Sequence, residues 1–147
     1  MNGLLVGVPA KMLQKLQIVQ NNAARLVMQK KQRDHVTPLM RHLHWLPVKS
    51  RIQYKVSLLT FKALNGKAPP YLTNLLTPYR PRRPGLRSAN RSLLQVKIPN
   101  LKRTGGKAFS VVAPEMWNNL PEGLRKKTSV ESFKSGLKTF LFRICYP

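Results

Sequence analysis

Four side-chain carboxylates, three histidines and one cysteine are the groups in this 147-residue chain best suited to acid–base, nucleophilic or metal chemistry. They are badly placed for it. Asp34, Glu115, Glu122 and Glu131 lie far apart in sequence, and nothing local brings two of them to one site as a catalytic carboxylate pair requires. His42 and His44, if helical, point about 200° apart, since each residue turns a helix by about 100°. His35 lies outside that helix, and no acid or cysteine nearby completes a zinc set, so no metal site and no cofactor are expected. A Ser-His-Asp arrangement built on Asp34 has no further support, and Cys145 reads as a partly buried apolar side chain. Gly105-Gly106-Lys107 lacks the spacing of a phosphate-binding P-loop. The chain is therefore expected not to be an enzyme.

What it has in abundance is positive charge. Lys and Arg number 27 against 4 acids, a net charge of +23, so most cations cannot be paired internally. They must face water or a polyanion. Five clusters carry them: Lys30, Lys31 and Arg33; a strip of Arg51, Lys55 and Lys62; Arg80, Arg82 and Arg83 with Arg87 and Arg91; Lys102, Arg103 and Lys107; and Arg125-Lys126-Lys127. Phosphate contact needs cations spread over a surface and no fixed spacing, so the first four clusters are the candidate nucleic-acid-binding residues. Tyr79, between Pro78 and Arg80, is the candidate for stacking on a base. Trp45 and Trp117 sit in apolar motifs and read as core.

The elements that must position these residues follow from periodicity and breakers. Residues 10–32 read as an amphipathic helix with the stripe Met12, Leu16, Val19, Ala23 and Leu26 facing the core. Thr37 is expected to cap a short helix with Pro38 at its first position, ending near residues 44–47. A third helix runs from Pro47 to about Asn65, with Gly66 as a left-handed stop. Its two apolar stripes, Val48-Ile52-Val56-Leu59-Ala63 and Tyr54-Leu58-Phe61, mark it as central. One or two helical turns are expected within 70–76, an irregular Pro/Arg-rich arm over 77–91 and a short strand over 92–99. Residues 102–107 read as a turn, 108–113 as strand or helix, and 114–120 as a short helix closed by Pro121. The closing helix has a capping box, Thr128-Ser129-Val130-Glu131, and the stripe Val130, Phe133, Leu137, Phe140 and Ile144.

The fold class expected is mainly α: a small helical bundle with a Pro/Arg-rich arm and a minor irregular or short-stranded part. Its divisions are a helical region at 10–76, the basic arm at 77–91 and a carboxyl-terminal region at 92–147. No apolar run suits a membrane span and the first residues do not make a secretory signal, so an intracellular place, nuclear or cytoplasmic, is expected.

Several motifs together resemble one family. Leu16-Gln17-Ile18-Val19-Gln20-Asn21-Asn22-Ala23-Ala24-Arg25-Leu26-Val27 is similar to a segment of LINE-type non-LTR retrotransposon polyproteins. So are His42-Leu43-His44-Trp45-Leu46-Pro47-Val48 followed by Arg51-Ile52-Gln53-Tyr54-Lys55, and Leu59-Thr60-Phe61-Lys62-Ala63-Leu64 before Ala68-Pro69-Pro70-Tyr71-Leu72. Leu86-Arg87-Ser88, Ala108-Phe109-Ser110 with Ala113-Pro114, Trp117-Asn118-Asn119-Leu120-Pro121 and Ser129-Val130-Glu131-Ser132-Phe133-Lys134 continue the order from about residue 8 to the end. The resemblance implies the carboxyl-terminal, thumb-proximal and post-palm segment of a reverse transcriptase, which helps hold template RNA and target DNA. The polymerase aspartates of that family have no counterpart here, and neither does its endonuclease. The implied function is non-catalytic nucleic-acid binding, with RNA or DNA held through phosphates and the remaining parts of a reverse transcriptase as a further partner. The alternative is a protein-docking remnant whose apolar helix faces packed on the absent polymerase domain.

Overall fold

A computed structural model describes residues 5–81, 92–98 and 108–147. These are mainly helical: α1 (Ala10–Val27), α2 (Val36–His42), α3 (Val48–Leu64), α4 (Pro70–Thr73), α5 (Phe109–Asn118), α6 (Glu122–Arg125) and α7 (Val130–Cys145). The chain divides into two compact units, one of residues 1–54 with 138–147 and one of residues 55–137. The long helices α3 and α7 each contribute to both.

In the first unit, α1 turns a different side inward from the one its apolar stripe suggests. Gln20 and Ala24 are buried, while Met12, Leu16, Val19 and Leu26 are exposed, Leu26 to 80%. The helix is rotated by about 100° from the expected seating. Polar chemistry explains the choice. Gln17 Oε1 accepts the N–H of Val48 at 2.9 Å, in the first turn of α3, and Gln20 Nε2 donates to the carbonyl of Leu46 at 2.9 Å. The first four N–H groups of any helix lack an intrahelical partner, so these glutamines satisfy backbone groups that an apolar face would leave bare. The small Ala24 lets α2 close on the same side. It packs with Leu39 and Met40, and Met28, Val36, Leu43, Trp45 and Tyr146 surround them.

Three helices end in one motif. In α1, Gln29 N–H donates to Leu26 O and Lys30 N–H to Arg25 O; in α2, His44 N–H donates to Arg41 O and Trp45 N–H to Met40 O. In α3, Gly66 N–H donates to Ala63 O and Lys67 N–H to Lys62 O. This is the Schellman pattern, which needs a left-handed residue. Gly66 (φ 66°) is the expected stop, but Gln29 (φ 51°) and His44 (φ 52°) hold the same conformation with a side chain. α2 begins at Val36 rather than after Thr37, with His35 at its cap. Val36 joins the core, and Pro38 is tolerated because a helix's first N–H groups are unbonded in any case.

The second unit is built around an aromatic cluster. Phe61 and Phe133 stack with centroids 4.2 Å apart, and Trp117 lies 5.9 Å from Phe133 and 6.5 Å from Phe61. All three rings are buried, as the central placement of α3 requires. α5 is one helix that runs through Pro114, where residue order suggests a break. Its segment Val111–Pro114 and Trp117 are buried, and that packing outweighs the single hydrogen bond a proline removes. The short α6 has no counterpart among the expected elements. Gly136 admits it: a Cβ there would lie 2.7 Å from Leu124 Cδ2.

The expected strand at 92–99 reduces, among the described residues, to one antiparallel bridge between Pro78 and Leu94. Tyr79 N–H donates to Leu93 O (2.9 Å) and Gln95 N–H to Thr77 O (2.8 Å), so Pro78 stands where its missing N–H is not needed across the pair. The other side of Leu94 is taken by a side chain. Asn118 Oδ1 accepts Leu94 N–H at 2.9 Å and Asn118 Nδ2 donates to Leu94 O at 2.8 Å, so its amide stands in for a neighbouring strand. The Trp117 indole N–H donates to Ser92 O at 2.8 Å.

α7 begins at Val130, one residue too late for the expected capping box. Glu131 is in its first turn, where its charge suits the helix dipole, and its carboxylate reaches Lys134 at 2.8 Å. The helix buries Phe133, Leu137 and Leu141, whereas Ile144, expected inside, is 61% exposed.

Candidate nucleic-acid interface

The cluster after α1 is displayed by a locked turn. Lys31 N–H donates to Asp34 Oδ2 at 2.9 Å, Asp34 N–H donates to Lys31 O at 3.1 Å, and Arg25 Nε donates to Asp34 O at 3.2 Å. Asp34, the one acid of this unit, thus holds backbone. Lys30, Lys31 and Arg33 point into solvent around it. Among the described residues of the first unit, no Lys or Arg has a carboxylate side chain as partner. Arg51, on α3, is exposed in the same unit.

In the second unit Lys55 is exposed and Lys62 half-buried on α3, and Arg80 is exposed beside an exposed Tyr79. The Tyr79 ring therefore remains free for stacking, while its backbone is anchored through Leu93. Arg82, Arg83, Arg87, Arg91, Lys102, Arg103 and Lys107, with most of the arm and the turn at 102–107, lie outside the described residues. The cluster at 125–127 turns inward chemically. The Arg125 guanidinium donates to the carbonyls of Asn118 (3.1 Å) and Leu120 at the end of α5, Lys126 pairs with Glu122 at 2.6 Å, and Lys127 donates to Ser132 Oγ at 2.7 Å. Arg125 closes a helix end, while the Lys126 and Lys127 contacts lie on the exposed surface.

One aromatic surface is not legible in the sequence. The exposed His44 stacks on Phe142 (5.5 Å, 17° between planes), and Phe142 meets Tyr146 at 4.7 Å. The left-handed backbone at His44 turns its ring there, a consequence of helix termination that periodicity does not show. The Tyr146 hydroxyl donates to Trp45 O at 2.8 Å. Its pKa is raised above the ordinary 10.0, by burial first and by the charge of neighbouring Cys145 second. The two tryptophans behave as their motifs suggest, Trp117 buried and Trp45 half-buried.

Among the described residues no three of His, Cys, Asp and Glu stand close enough together to hold a metal ion. Cys145 is a free thiol 3.0 Å from Ser50 Oγ. No helix among these residues is long and apolar enough to cross a membrane. The chain matches no protein-family model, no curated protein and no solved structure.

Proposed function

We propose that this protein binds nucleic acid without catalysing a reaction on it, and that it derives from the carboxyl-terminal segment of a LINE-type reverse transcriptase. The observation that carries the binding is the first unit's charge: eleven Lys and Arg against Asp34 alone, and that acid is engaged with a backbone N–H. Cations held out on a turn at Lys30, Lys31 and Arg33, and on a helix at Arg51, suit contact with phosphates, where affinity depends on the number of charges rather than on their order. Lys55, Lys62 and Arg80 offer the same in the second unit, with Tyr79 next to Arg80 for a base. Derivation from the reverse transcriptase rests on the chain of motifs. The role is that of a holding module, working in the nucleus or cytoplasm where RNA and DNA are met.

The test is binding of single-stranded RNA and DNA of mixed sequence by the purified chain across a salt series. Neutralising about six phosphates on a single strand gives a slope of about −4 in log K against log salt. A slope near zero refutes the reading, and so does primer extension or nicking in the presence of a divalent metal that survives purification.

A further inference from the structure

The apolar stripe of α1 stays largely outside the core and carries no cation of its own. Met12, Leu16, Val19 and Leu26 follow helical spacing and are exposed, Val19 to 66%. Along part of this side the surface is concave. Leu16, Val19 and Ala23 of α1, with Trp45, Val48 and Arg51, line an open groove of about 360 Å³. Gln20, 8% exposed, also lines it, and its Oε1 is buried without a hydrogen-bond partner. Polypeptide surfaces that expose apolar stripes of this kind mark places where another surface is received.

We infer that this groove receives an amphipathic helix of a partner protein, one with an apolar seam bordered by Asp and Glu. The argument for the occupant is charge. Lys11 and Lys15 fall along one border of the apolar stripe, by helical spacing, and Arg51 stands at the other, with no acid on either. A helix with apolar residues at every third and fourth position follows the stripe from Leu16 to Leu26 and sets one side chain into the groove against Trp45. Its acids then meet the flanking cations, which fixes its orientation and speeds encounter. A second copy of this chain is the wrong partner, since each first unit carries eleven cationic residues against one acid and two such faces repel. An anionic bilayer offers the charge but not the shape, because a membrane receives a convex apolar face. The inference goes beyond nucleic-acid binding and stands without it.

The experiment uses the full chain and three probes: a labelled helical peptide of Leu and Glu with Leu at every third and fourth position, the same peptide with Lys for Glu, and vesicles of phosphatidylserine and phosphatidylcholine. Two variants add the same charge to α1. Val19→Lys alters the groove; Ile18→Lys alters a position about 100° around the helix and outside the groove lining, where Ile18 is also exposed. Both side chains project into solvent, and the melting temperature of each variant verifies the fold. The expected result is that the Glu peptide binds, that V19K weakens it by at least tenfold and I18K by less than twofold, and that the Lys peptide does not bind. Arg51→Glu should weaken the Glu peptide and admit the Lys peptide. RNA affinity should not fall in V19K, because the variant adds a cation and removes none. The inference is overturned if the Glu peptide fails to bind the parent chain, if V19K and I18K weaken it equally, if vesicles bind in a V19K-sensitive way while the peptide does not, or if the parent self-associates through this face and V19K alone makes it monomeric.

Discussion

The Asn118 amide can be removed with a foreseeable cost. It makes both hydrogen bonds available to the peptide groups of Leu94 on that side, 2.9 Å from the N–H and 2.8 Å to the carbonyl. Leu94 is only 3% exposed, so water cannot readily replace them. Asn118→Ala leaves a donor and an acceptor unmet at about 1–3 kcal/mol each, a loss of about 2–6 kcal/mol. For a chain of this size that lowers the melting temperature by about 5–25 °C. Asn118→Asp is the sharper variant. Its carboxylate can still accept the Leu94 N–H, but its second oxygen opposes the Leu94 carbonyl. The folded state then favours the protonated acid, which can donate to that carbonyl, so the folded pKa lies above the unfolded value of about 3.9. Stability contributed by that proton is present below the unfolded pKa and lost as pH rises through the folded one. N118D should therefore be as unstable as N118A at pH 7 and recover relative to it as pH falls towards 4. Urea denaturation gives the free energies, with an unchanged m value as the check that the transition is the same. Exchange of the Leu94 amide proton, slow in the parent, should accelerate in N118A. A loss below about 0.5 kcal/mol in N118A, or a Leu94 amide that exchanges freely in the parent, would refute the side chain's role as a substitute strand.

Other consequences are measurable on the same protein. Tyr146→Phe removes the hydrogen bond to Trp45 O, costing about 1 kcal/mol at neutral pH; because the folded phenol has a raised pKa, its contribution holds below about pH 10 and fades above it, so parent and variant should converge in stability there. His44→Gly should stay within about 0.5 kcal/mol of the parent, since relief of the left-handed backbone offsets the missing stack on Phe142, whereas His44→Ala should be about 1 kcal/mol less stable than the glycine variant in thermal unfolding. Phe133→Ala, at the centre of the aromatic cluster, should cost about 3–5 kcal/mol by denaturant titration. Changing Lys30, Lys31 and Arg33 together to Ala should leave the melting temperature nearly unmoved and reduce the salt slope of RNA binding by about one unit for each phosphate that is no longer neutralised.

α3, the Gly66 stop, the buried Trp117 and the first half of α7 can be read from residue order because local signals agree there: two apolar stripes, a glycine in the left-handed region, and burial of Phe133 and Leu137 at a spacing of four. The cationic clusters are equally legible as composition. What residue order cannot decide is which groups are used twice. Arg125 looks like Arg33 in the sequence, yet one guanidinium is bonded to the carbonyls closing α5 while the other faces solvent. The seating of α1 cannot be read either, because an apolar stripe announces that a surface will be covered without saying by what. The buried side goes to Gln20 and Ala24, since their helix has to satisfy the backbone of residues 46 and 48 and admit α2 closely. α5 passes through Pro114 and Asn118 replaces a strand for the same reason: a partner distant in sequence supplies the burial or the hydrogen bond that local propensity leaves open. Propensity and charge are properties of neighbours along the chain, while burial and hydrogen-bond satisfaction belong to neighbours in space, and only the tertiary structure decides those.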